Sequence, residues 1–179
     1  MPSVLIAYVR VVNKINRTIG RVVMLGIFVM MGILLYASFT KTFFIPPLWS
    51  LEVSQFLMVG YFLLGGAYSL QMGAHVRMDL VYGNWRPHTR TWVDAFTVLF
   101  LIFYLALLLY GAISSTTYAL EYGERSYSAW RPYMAPIKII MTFGILMTLL
   151  QSIAILITDV ARLRGIEIHD GLTEEEREQ

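Results

Sequence analysis

The chain has 179 residues, 57% of them hydrophobic and only 15% charged, whereas average soluble domains carry roughly 25% charged residues. Its net charge of +2 is too small to argue for a nucleic-acid partner, and the lack of cysteine excludes disulfides, thiolate metal sites and cysteine nucleophiles. This is the composition of a chain solvated largely by lipid.

Residues 4–20 come first. Leu5, Tyr8, Val12, Ile15 and Ile19 recur at helical spacing, and Arg10, Lys14, Arg17 and Arg21 recur at steps of 4, 3 and 4 on another face. The pattern predicts an amphipathic helix lying in the membrane interface against anionic lipid. The alternative is that the first span starts early and its first turns emerge into water.

Four runs without a formal charge come next: Val22–Thr40 (19 residues), Val53–Ala74 (22), Ala95–Leu120 (26) and Ile139–Thr158 (20). A helix rises ~1.5 Å per residue, so ~20 apolar residues cross a ~30 Å hydrocarbon core. The runs are continuous rather than alternating, which favours helices over barrel strands. The first run exceeds the ~7–15 residues of a signal-peptide core and reads as a retained span. The expected fold is therefore an all-α membrane protein with four transmembrane helices and an N-terminal interfacial helix. Residues 1–165 form one membrane domain, with the interfacial helix at 4–20 and spans at about 21–44, 49–73, 92–120 and 136–161, followed by an acidic cytoplasmic tail at 166–179.

Ten basic residues fall on one side: Arg10, Lys14, Arg17, Arg21, Arg77, Arg86, Arg90, Arg162, Arg164 and Arg177. Four fall on the other: Lys41, Arg125, Arg131 and Lys138. The positive-inside rule puts both termini and the middle loop in the cytoplasm.

Ile45-Pro46-Pro47 ends span one, because proline cannot continue a helix. Ser50 is the expected N-cap of span two, with Glu52 in its first turn, where the helix dipole favours a carboxylate. Gly65, Ser69 and Gly73 in span two, and Gly111, Ser115 and Ala119 in span three, form stripes of small residues that suit close helix packing, within the chain or with another. Trp49, Trp85, Trp92 and Trp130 sit at or near span ends, as in an aromatic belt.

Chemistry is sparse. Ionisable groups gather at span ends, at Lys41, Glu52, His75, Asp94, Glu121, Lys138 and Asp159, whereas ion paths need deeper ones. The three histidines, His75, His88 and His169, are not mid-span and do not suit haem ligation. No phosphate-cradling glycine loop occurs, and no span has the paired Gly/Pro interruption of a discontinuous transporter helix. No catalytic, cofactor-binding or metal site is expected, and the chain reads as an accessory or scaffold subunit rather than an enzyme.

Trp49-Ser-Leu-Glu52, then Leu64-Gly65-Gly66-Ala67, then Gly73-Ala74-His75-Val76-Arg77-Met78-Asp79-Leu80 resembles the small membrane subunit of tripartite ATP-independent periplasmic (TRAP) transporters, the DctQ-like family. Trp130-Arg131-Pro132-Tyr133-Met134-Ala135-Pro136-Ile137-Lys138 resembles a variant of the same family. The resemblance implies a subunit of a bacterial or archaeal cytoplasmic membrane, part of a sodium-driven importer of solutes such as organic acids. Its partners would be a large DctM-like membrane subunit, which carries the substrate and sodium sites, and a periplasmic substrate-binding protein. Trp49 and Glu52 would anchor span two near the docking face. His75, Arg77 and Asp79 would form a cytoplasmic cluster that fixes a turn or holds a lipid headgroup. Arg125, Arg131 and Lys138 could meet an acidic patch on the binding protein. The alternative is a lone four-helix protein forming a homo-oligomeric channel.

Overall fold

The computed structural model describes residues 3–45, 47–72 and 87–163. Gly73, His75, Arg77, Asp79, Trp85 and the tail at 166–179 lie outside the described residues. Among the described residues there are four α-helices and no strand: α1 Ser3–Phe43, α2 Ser50–Gln71, α3 Pro87–Glu121 and α4 Ala135–Leu163. Each contains a stretch long and apolar enough to span a membrane.

Residues 4–20, expected as a separate interfacial helix, are continuous with span one in a single 41-residue helix. At ~1.5 Å per residue α1 is about 60 Å long, twice the hydrocarbon thickness. No Pro or Gly pair interrupts the polar-to-apolar junction near Arg21, so nothing breaks the backbone ladder there. Part of the apolar face of 4–20 is also spent inside the chain. Val9 and Val12 are buried against Ala154, with Tyr8, Leu150 and Ile157 around them.

The helix ends have local causes. After Phe43 the chain reaches Pro47 within four residues, and Ser50 opens α2. Ser50 is not the N-cap. Trp49 takes that position, and the buried Ser50 hydroxyl donates to the Pro47 carbonyl at 3.0 Å. Glu52 lies in the first turn, as expected. α3 closes at Gly123, whose φ of +57° is the left-handed conformation glycine adopts at no steric cost. The Glu124 amide then bonds the Ala119 carbonyl at 3.2 Å, the six-to-one closure of a Schellman motif. Pro136 sits in the first turn of α4, where its missing N–H is harmless.

The helices form an open array. α1 packs antiparallel on α2, α2 runs parallel to α4, and α4 packs antiparallel on α3. Among the described residues α3 makes its extensive contact with α4 alone, while the N-terminal part of α1 reaches α4 directly. Glycines set the closest approaches. A Cβ at Gly20 would stand 2.4 Å from Tyr68 Cγ, and one at Gly144 would stand 2.9 Å from Leu63 Cβ and 3.1 Å from its carbonyl carbon. The α3–α4 contact is hydroxyl-bonded: Thr116 and Thr142 share a 2.8 Å hydrogen bond, and Thr116 also donates to the Lys138 carbonyl at 3.2 Å. In a bilayer such bonds and close backbone contacts, rather than burial of leucine, hold helices together.

Candidate functional site

Polar groups gather at the two ends of the array. One end carries the α1–α2 connection, the start of α2 and the loop from 122 to 134. Trp49 is partly exposed there and stacks on Tyr36 of α1, with ring centroids 6.1 Å apart and planes 24° apart. Glu52 Oε2 is buried and has no hydrogen-bond partner among the described residues. One turn further along, Gln55 joins Thr116, Ser115, Lys138 and Met141 around an open cavity of about 230 Å³ between α2, α3 and α4.

The 122–134 loop is folded on itself. The Ser126 amide bonds the Pro132 carbonyl at 3.0 Å, and the Met134 amide bonds the Glu124 carbonyl at 2.9 Å, pairing Arg125 with Tyr133 as an isolated antiparallel bridge. The Arg125 guanidinium lies 4.1 Å from the Tyr133 ring centroid and donates to the Tyr133 hydroxyl. Lys138 forms an ion pair with Glu124, tying the first turn of α4 to the end of α3. Two of the three cations expected to face a partner, Arg125 and Lys138, are therefore engaged within the chain. Arg131 is exposed, and its backbone is held at φ +51° with its amide bonded to Ser128 Oγ at 3.2 Å. A left-handed non-glycine residue costs about 1 kcal/mol or more and persists only where its surroundings determine it. Tyr127 is fully exposed at the tip, and Trp130 is 44% exposed beside it.

The other end holds a buried amide chain that the sequence pattern does not disclose. Asn16 Nδ2 donates to Gln151 Oε1 at 2.7 Å, and Gln151 Nε2 donates to Asn13 Oδ1 at 3.0 Å. Asn16 and Gln151 are 1% and 2% exposed. The Tyr8 hydroxyl donates to the Leu150 carbonyl at 3.1 Å beside them. A search for ionisable residues passes over neutral amides. The available signal is two asparagines three apart on α1 and the lone amide of span four.

Of the small-residue stripes, only Ala119 is buried within the chain among the described positions. Gly65 and Gly111 face open space, Ser115 is exposed and Ser69 is half-buried. No cluster of three or more His, Cys, Asp or Glu able to hold a metal occurs among the described residues.

The family model described as "Tripartite ATP-independent periplasmic transporters, DctQ component" matches residues 30–162. No curated protein and no solved structure matches the chain. The match covers about three quarters of the sequence, from mid-α1 to the end of α4. The chain belongs to the DctQ family, the small membrane subunits of tripartite ATP-independent periplasmic transporters.

Proposed function

We propose that the chain is a non-catalytic subunit of a sodium-coupled solute importer, bracing a large DctM-like membrane subunit and helping to dock a periplasmic binding protein. The observation that carries this reading is the open array of an established transporter component. α1 presents Val22, Val29 and Leu35, and α3 presents Phe100, Phe103 and Leu107, each more than half exposed. The open positions at Gly65, Gly111 and Ser115 add surface on which another helix can come close. Substrate and sodium sites belong to the large subunit in this reading, and the positive-inside count puts both termini in the cytoplasm. The 122–134 loop and Trp49 then share the periplasmic end. Tyr127, Trp130 and Arg131 are the aromatic and cationic groups that loop presents to a partner. Reconstitution tests the reading. Proteoliposomes holding both membrane subunits and supplied with binding protein should take up solute on a sodium gradient. Liposomes lacking this chain should not, and uptake that persists without it would contradict the proposal.

A further inference from the structure

The end of the molecule that carries the N terminus has an open groove of about 360 Å³, walled by α1 and closed from α2 by Gln71. Among the described residues, Arg10, Lys14, Arg17 and Arg21 line it and no acidic side chain does. Asn13 forms part of its wall, with the carboxamide oxygen held by Gln151 at 3.0 Å.

The same helix face changes character below the cations. Arg10, Lys14, Arg17, Arg21, Leu25 and Phe28 succeed one another at helical steps of 4, 3, 4, 4 and 3. Leu25 and Phe28 are 64% and 65% exposed. A free phosphate ion would use the cations and leave the apolar continuation idle. A phospholipid uses both, because basic grooves at helix ends attract headgroups and exposed aliphatic and aromatic side chains accept acyl chains. We propose that this groove binds one anionic phospholipid, its phosphate held among Arg10, Lys14, Arg17 and Arg21 and an acyl chain lying along Leu25 and Phe28. All four cations, with Leu25 and Phe28, precede the residues matched by the family model.

The test uses the full chain with whatever subunit copurifies, in mild detergent. Native mass spectrometry is run during titration with phosphatidylglycerol, phosphatidylcholine or inorganic phosphate. One phosphatidylglycerol per chain should bind in preference to phosphatidylcholine. Arg10 and Lys14 are exposed, so R10Q/K14Q should keep its thermal midpoint in phosphatidylcholine. It should bind phosphatidylglycerol about thirtyfold more weakly, from the loss of two cations near a charged headgroup. R125Q/R131Q, at the opposite end, should leave binding unchanged. L25S/F28S, which keeps every cation, should also weaken it. Equal affinity for phosphatidylcholine, or unchanged binding in R10Q/K14Q, would overturn the proposal. Displacement by millimolar phosphate with L25S/F28S unaffected would make this a free-anion site instead. A copurifying protein that excludes lipid from the groove would assign it to that protein, against the lipid.

Discussion

Asn16 and Gln151 lie 135 positions apart in sequence, yet their carboxamides meet at 2.7 Å in a buried contact between α1 and α4. Gln151 spends both ends of its amide, accepting from Asn16 and donating to Asn13. This ties the N-terminal part of α1 to α4, beside the apolar contact of Val9 and Val12 with Ala154.

Gln151→Ala should therefore loosen that end. It removes two inter-helix hydrogen bonds and leaves buried amides unmet, costing about 1–3 kcal/mol. Chemical unfolding in detergent reads the loss, and a double-mutant cycle with Asn16→Ala should show coupling rather than additivity. Additive effects would mean that the bond contributes nothing.

The glycine contacts make a sharper prediction. Gly144→Ala pushes a methyl into Leu63 and its backbone, so α2 and α4 must separate, at about 1–3 kcal/mol. Gly65→Ala and Gly111→Ala meet open space and should leave the stability of the isolated chain unchanged or slightly higher. Larger residues at Gly65 and Gly111 should instead weaken retention of a partner subunit. A thermal series on the isolated chain, with copurification alongside, separates the two kinds of glycine.

At the loop, Gly123→Val places a β-branched residue at φ +57° and should cost at least ~1 kcal/mol. Limited proteolysis should then cut between residues 122 and 134. Glu124→Gln, which removes the carboxylate facing Lys138, should open the same loop to a smaller degree.

Arg131→Glu addresses docking. It reverses an exposed charge without touching the Arg125–Tyr133 or Glu124–Lys138 pairs. The concentration of binding protein needed for half-maximal uptake should rise severalfold at low salt, and the difference should shrink as salt is added. Unchanged uptake at low salt would remove Arg131 from the docking surface.

Much of this is legible in the sequence. Uncharged runs of about 20 residues place four helices, because the bilayer imposes length and internal hydrogen bonding on any span. Pro46-Pro47 and the Glu52 first turn mark their boundaries through local backbone chemistry. The sequence leaves the continuity of 4–20 with span one open between two readings, since a hydropathy run stops at Arg21 whether or not the helix does. Gly20 and Gly144 do not stand out because their significance depends on which faces of separate helices meet. The Asn13–Gln151–Asn16 chain is hidden for the same reason, since a neutral amide shows its partner only after packing.

The most direct measurement is affinity purification of the chain, tagged at its C terminus, from mild detergent, with mass spectrometry of the proteins that copurify. A scaffold subunit brings a large, multi-span membrane protein in stoichiometric amount. A pure homo-oligomer, stable and without that partner, would contradict the account and point to a self-assembled channel.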